Sequence, residues 1–380
     1  MSNIRDAVLG YVRDSYLGST VHLNPDLPVV DCAIGSSQWG MSAKAIDAHR
    51  SFDVASLVGY FDLFHDRLAR KLYERFGIKK EDAPVFFGHG SFNLAERLIH
   101  KFISPTVMVG VGPQFNEIPS EFVAAGGQYR PMSFRGAAYE FPVAEIKAAI
   151  RQGASVVYID NPNNPTGALV PLDVIATIAA TAEKCGTLLI VDEAYGDFVD
   201  DACSAAHLVP TFGNIAVLRS FSKALGLAAA RVGYMFLSSG IAGSYRHLDV
   251  PFEPTLHSAE LAYATLEDVD FIRGVRTLVG ESKSVLVPVL REQGFNILPT
   301  HPQTSIVSVH LDDGDVVQTF ASIAVTVEPG SAFAKTNSDW DDSYCRIRLP
   351  KKEVLPELIK RIRSLRTTCN RSTKRHAHQS

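Results

Sequence analysis

The sequence predicts an α/β protein with a mostly parallel central sheet flanked by helices, joined to a smaller α+β domain. Three observations carry that reading. Short apolar runs at 85–87, 107–111, 155–159, 188–191 and 215–220 show no polar alternation, the pattern of strands covered on both faces. Between them, 63–76, 93–102, 143–151 and 172–184 repeat apolar residues at helical spacing. Strand and helix alternating in this way argue for parallel strands with crossover connections. After about residue 250 the pattern changes. Pro251 and Pro254 break the chain, a long helix is expected over about 258–293, strands at 306–311, 323–327 and 344–349, and a final helix over 353–366.

Composition bounds the rest. The 380 residues exceed a typical domain of roughly 150. With 46% hydrophobic and 21% charged residues, disorder, collagen-like repeats and coiled coil are poor descriptions of the whole chain. Lys plus Arg is 37 and Asp plus Glu is 41, so the net charge is 37 − 41 = −4, which provides no general field for nucleic acid or membranes. The cysteines, Cys32, Cys185, Cys203, Cys345 and Cys369, are odd in number, scattered and without a CxxC pair, so no disulfide framework or metal site is expected. The N-terminus carries charges where a signal peptide would be apolar, and no apolar run of about 18 residues is present, so a cytoplasmic protein is expected.

The chemistry lies at the strand ends, where open α/β sheets bind ligands. The 155–159 strand leads into Asn161-Pro162-Asn163-Asn164-Pro165-Thr166-Gly167, and the 188–191 strand into Asp192-Glu193-Ala194-Tyr195. The 215–220 strand ends in Ser220-Phe221-Ser222-Lys223, with Arg231 eight residues beyond the lysine. Each taken alone has a bland explanation as a turn, a cap or a solvated base. In this order they supply an amide, a carboxylate with a tyrosine, and a lysine with an arginine at three successive strand ends.

From about Tyr60 to Arg346 the chain resembles the fold-type-I pyridoxal-phosphate (PLP) enzymes, specifically the class I/II aminotransferases that include histidinol-phosphate aminotransferases. The resemblance implies a large cofactor domain over 45–255 and a small domain built from 1–44 and 256–366; residues 367–380, polar, basic and without periodicity, are expected to be a disordered tail. It implies Lys223 as the Schiff-base lysine, an amine that must be deprotonated to react. Asp192 is the anion that keeps the cofactor's ring nitrogen protonated, unless it only caps the following turn. Asn164 and Tyr195 hydrogen-bond the phenolic oxygen. The turn Gly90-Ser91-Phe92, completed by Ser220, Ser222 and Arg231, grips the phosphate. Phe115 stacks on the ring, its alternative being a core residue. By the same resemblance Arg346 is expected to bind the substrate carboxylate, whereas Arg348, two residues on, is expected to be solvated. Tyr60 resembles the tyrosine that reaches the phosphate from a second subunit, which implies a homodimer.

The resemblance weakens on the substrate side. The loop Asp31-Cys32-Ala33-Ile34-Gly35-Ser36-Ser37-Gln38-Trp39-Gly40 departs from the common pattern, Ile118 stands where a second tyrosine is usual, and Phe61 follows Tyr60 in place of proline. Gly35 and Trp39 are candidate substrate residues, with Trp39 equally able to pack in the core. The expected function is therefore transfer of an amino group between an amino acid and a 2-oxo acid, in a specialised biosynthetic pathway. A PLP-dependent decarboxylase, or an elimination or replacement enzyme, is the alternative on the same scaffold. A nicotinamide-dependent dehydrogenase is disfavoured because Gly88-His89-Gly90 and Gly110-Val111-Gly112 lack the third glycine of the dinucleotide fingerprint. A non-catalytic PLP-binding regulator is disfavoured by the retained Lys223 and by the absence of a basic helix-turn-helix segment ahead of the core.

Overall fold

Seven strands form the central sheet, and the inner ones have both faces covered. The computed structural model describes residues 21–62, 65–136 and 139–365; the expected tail at 367–380 lies outside them. In chain order the strands are β1 (Val30–Asp31), β2 (Val85–Gly88), β3 (Val107–Gly112), β4 (Gln128–Ser133), β5 (Val156–Asp160), β6 (Leu188–Asp192), β7 (Ile215–Ser220), β8 (Gly233–Leu237), β9 (Asn296–Ile297), β10 (Ile306–His310), β11 (Val325–Thr326), β12 (Glu328–Pro329) and β13 (Tyr344–Arg348). The large sheet has the order β2-β8-β7-β6-β5-β3-β4. Strand β8 is antiparallel to both β2 and β7, while β7, β6, β5, β3 and β4 are parallel to one another. The carboxyl ends of the parallel strands therefore lie along one edge.

The absence of polar alternation in β5 to β7 has a direct cause. Val157, Ile159, Leu189, Val191 and Val217 pack into one core, and Val156, Tyr158, Leu188, Ile190 and Leu218 into another on the opposite face. Helix Leu172–Lys184 covers the first face with Ile175, Ile178, Ala179 and Ala182, an i, i+3, i+4, i+7 stripe. Each Ile or Leu side chain buried in this way contributes about 1.5–3 kcal/mol.

Two strands of this sheet lie outside the apolar runs read from the sequence. Strand β4 is mostly exposed and polar, so no apolar run marks it. Strand β8 is fully buried, and its run Gly233-Tyr234-Met235-Phe236-Leu237 is as apolar as its neighbours.

The C-terminal part packs on its own core. Strands β12-β13-β10-β9 form an antiparallel sheet, and β1 pairs with β11. The long helix expected over 258–293 is two helices, Leu256–Glu267 and Val269–Glu292. Asp268 interrupts it at φ −96°, ψ 69°: its Oδ1 accepts from Phe271 N at 3.2 Å, capping the second helix, and its Oδ2 accepts from Ser42 Oγ at 2.7 Å. Arg348 is buried, not solvated. Its Nη2 lies 2.8 Å from Asp31 Oδ2 and also donates to Asp31 O, because the β1 segment covers that face of β13. Among the described residues no helix is long and apolar enough to cross a membrane.

Candidate active site

The carboxyl edge of the large sheet opens into a cavity of about 450 Å³, closed on its other side by the 34–36 segment, Glu328 and Arg346. Most of the residues singled out from the sequence meet there: Gly35, Ser91, Phe92, Phe115, Asn164, Asp192, Tyr195, Ser220, Ser222, Lys223, Arg231 and Arg346 all line it. Three do not. Gly90 lies just behind the lining. Trp39 packs edge-on against Phe198, with ring centroids 5.9 Å apart. Tyr60 is 90% exposed and stacks on Phe252 at 4.8 Å.

Strand ends set the geometry. Asp160 and Asp192 are register partners at the ends of β5 and β6. Asp192 is buried; its Oδ1 accepts from Ala194 N at 3.0 Å and its Oδ2 from the Tyr158 hydroxyl at 3.3 Å. Burial pushes its pKa up to about 6, against the pull of these donors and of Lys223. A buried carboxylate held by neutral donors is a place for a cation. The Tyr195 hydroxyl is buried without a hydrogen-bond partner, and Lys223 Nζ lies 5.5 Å from the Tyr195 ring centroid. A Cβ on Gly35 would come within 2.9 Å of Tyr195 Oη and 3.1 Å of Lys223 Nζ, so only glycine lets the backbone pass so close to both.

The other end is a cup for an anion. Gly90, at φ 92°, lets the chain turn from β2 into the helix Ser91–Arg97. Arg231 Nη2 donates to His89 O at 3.2 Å, and a Cβ on Gly90 would strike that guanidinium. Arg231 Nη1 donates to Ser222 Oγ at 3.4 Å, and the Ser220 hydroxyl donates to Ser222 Oγ at 2.9 Å. Backbone amides, two hydroxyls and one guanidinium thus converge on one corner.

Asn164 joins the two halves of the site. Its Oδ1 accepts from Arg346 Nη1 at 2.8 Å, and its loop is braced from behind. Ser308 donates to Pro165 O, and Thr304 Oγ1 and His301 N both donate to Gly167 O. The buried Lys283 amino group holds that bracing segment, its Nζ lying 2.6–3.0 Å from Thr300 Oγ1, His301 O, Thr304 O and Ile306 O.

Sequence reasoning missed two acids of the lining. Asp160 accepts from Phe115 N, Asn164 N and Asn163 Nδ2 at 2.9–3.1 Å, fixing the aromatic and the amide together, and burial pushes its pKa up to about 7. It directly precedes the Asn161-Pro162 turn, which was the available signal. Glu328 lies against Arg346, and a lone acid among the apolar residues of Val325-Thr326-Val327-Glu328-Pro329 was its only mark. Glu193 points away from the cavity and accepts from Arg219 Nη1 at 2.6 Å. Among the described residues no three His, Cys, Asp or Glu side chains are grouped to hold a metal ion.

Comparison with known proteins agrees with this geometry. The family model described as aminotransferase class I and II matches residues 32–362. The chain is 28% identical over 312 residues to histidinol-phosphate aminotransferase 2 of Pseudomonas aeruginosa, covering 80% of this chain and 82% of that protein. It is 26% identical over 307 residues to the histidinol-phosphate aminotransferase of Brevibacillus brevis, covering 80% and 83%. Its fold is similar to the crystal structure of the histidinol-phosphate aminotransferase from Sinorhizobium meliloti in complex with pyridoxal-5'-phosphate, with a TM-score of 0.79 and 20% identity, covering 96% of this chain and 99% of that one.

Proposed function

Because the chain belongs to the class I and II aminotransferase family, we propose that its cavity holds pyridoxal 5'-phosphate on Lys223 and moves an amino group between an amino acid and a 2-oxo acid. The observation that carries the assignment is the convergence in one cavity of Lys223, the buried Asp192 carboxylate and the unpartnered Tyr195 hydroxyl.

The residues present fit the cofactor. Bound there, it supplies an aldehyde for the amino group and an electron sink for the charge left at the substrate Cα. Asp192 would place a negative charge beside the ring nitrogen and keep it protonated. Tyr195 Oη and the Asn164 side-chain amide would donate to the phenolic oxygen. The Gly90, Ser91 and Phe92 amides, the Ser220 and Ser222 hydroxyls and Arg231 would hold the phosphate, and Phe115 would cover the ring. Lys223 would anchor the cofactor, and as a free amine its Nζ would take up and hold the substrate Cα proton. Arg346 orients the α-carboxylate while Gly35 and the 34–36 segment exclude water; Trp39 acts through Phe198, which stacks on Tyr195.

Tyr60 reaches nothing in its own cavity. Its exposure, beside the exposed Val54, Leu57 and Val58, supports a homodimer in which it completes the phosphate cup of a second copy.

Purified protein is expected to be yellow, and borohydride reduction followed by peptide mapping should place the cofactor on Lys223. Label on another lysine refutes the anchor. Incubation with a panel of amino acids, followed by 2-oxo acids, should convert the cofactor's absorbance and then restore it. No response to any such pair refutes transamination.

A further inference from the structure

The end of the cavity opposite the phosphate cup carries an acid as well as a base. Glu328 on β12 and Arg346 on β13 are register partners, and both side chains line the cavity. Glu328 Oε2 lies 3.4 Å from Arg346 Nη2, and its side chain is 19% exposed. The same guanidinium is already engaged on two further sides. Its Nη2 donates to Ala33 O at 2.6 Å and its Nη1 to Asn164 Oδ1 at 2.8 Å, while Nε is buried and unpartnered. Among the described residues the cations of the lining are Lys223, Arg231 and Arg346. Arg231 belongs to the opposite corner, against Ser222 and His89, and Lys223 stands beside Tyr195. One positive charge and one carboxylate therefore meet whatever group docks at this end.

Resting on the aminotransferase reading, we propose that Glu328 is a specificity-determining residue that restricts this end of the cavity to a singly charged carboxylate and rejects a phosphate monoester. The substrate class is then an amino acid presenting its α-carboxylate to Arg346, not an amine carrying a phosphate ester of the kind named in this chain's relatives. The argument is one of charge and of donors. A carboxylate brings one negative charge to an Arg–Glu pair that is close to neutral, and it can accept from the unpartnered Nε. A phosphate monoester is mostly dianionic at neutral pH and has three acceptor oxygens. It would face a single guanidinium whose other N–H groups are taken, with the Glu328 carboxylate beside it, and like charges so placed repel. Burial holds the Glu328 pKa above the usual carboxylate range, and the Arg346 guanidinium beside it pulls against that rise.

Paired probes without an amine, which bind but cannot react, separate this inference from the chemistry. Calorimetry on the cofactor-loaded protein would compare 3-phenylpropionate with 3-phenylpropyl phosphate, and imidazole-4-propionate with 3-(imidazol-4-yl)propyl phosphate. Wild-type protein is expected to bind each carboxylate at least about tenfold more tightly than its phosphate partner. Glu328→Gln should narrow that ratio and Glu328→Arg should reverse it. Equal or tighter binding of the phosphate probes by wild type, or a ratio unmoved in both variants, overturns the inference. The cofactor's spectral response to amino acids, recorded on the same samples, tests the transaminase reading separately. A silent cofactor with an intact charge preference would remove that reading and leave the role of Glu328 standing.

Discussion

Replacing Asp192 with asparagine should stabilise the cofactor-free protein while weakening its hold on the cofactor. The carboxylate is buried, and its pKa stands at about 6 against an ordinary 3.8. An acid whose folded pKa is raised costs stability wherever the unfolded chain ionises it and the fold resists. The cost is absent below pH 3.8, grows between pH 3.8 and 6, and is complete above. The shift of about two units corresponds to about 3 kcal/mol at pH 8 and under about 1 kcal/mol at pH 4. Asparagine removes the charge and can keep both contacts: its carbonyl can accept from Ala194 N, and its amide can donate to Tyr158 Oη, reversing the second bond.

Urea unfolding of both cofactor-free proteins at pH 8 and pH 4 is the assay. The variant should gain about 3 kcal/mol at pH 8 and little at pH 4. Cofactor affinity should move the opposite way, falling about a hundredfold or more, since a buried cation would lose its partner. No gain at pH 8, or an equal gain at both pH values, would refute the claim that Asp192 is held uncompensated for a ligand.

The other predictions concern support, access and assembly. Arg219 is fully buried between Glu193 at 2.6 Å and Asp197 at 2.9 Å, so Arg219→Met should cost about 3–5 kcal/mol in a denaturant melt by leaving two carboxylates facing each other. A melt within 1 kcal/mol of wild type would show the network to be dispensable. Gly35→Ala pushes a methyl group toward Tyr195 Oη and Lys223 Nζ; kcat/KM should fall about tenfold or more while borohydride still labels Lys223. Unchanged kinetics would mean that the 34–36 segment yields freely. Val58 is 94% exposed, and Val58→Asp should weaken dimerisation at least about tenfold by sedimentation if a second copy covers it. An unaltered sedimentation profile would place the interface elsewhere.

What the sequence made legible was local. Strands β5, β6 and β7 announced themselves because both faces are buried, so their apolar runs are unbroken. Asp192 and Lys223 were found because each sits within a few residues of its strand end, where chain order alone sets spacing. Contacts made across the chain were less visible. Arg348 was expected to be solvated, yet it is buried beside a carboxylate 317 positions away. The helix break at Asp268 depends on Ser42, far upstream. Asp160 and Glu328 look ordinary until the fold brings Phe115, Asn164 and Arg346 to them. The division is physical. Cofactor chemistry is carried mostly by residues at neighbouring strand ends and so survives in short motifs. The charge that meets the substrate is set by pairs such as Glu328 and Arg346, which only the assembled small sheet creates. Substrate preference in this chain should therefore shift on a change in the 33–36 loop or at Glu328, whereas a change in the motifs that reveal its family should abolish the chemistry itself.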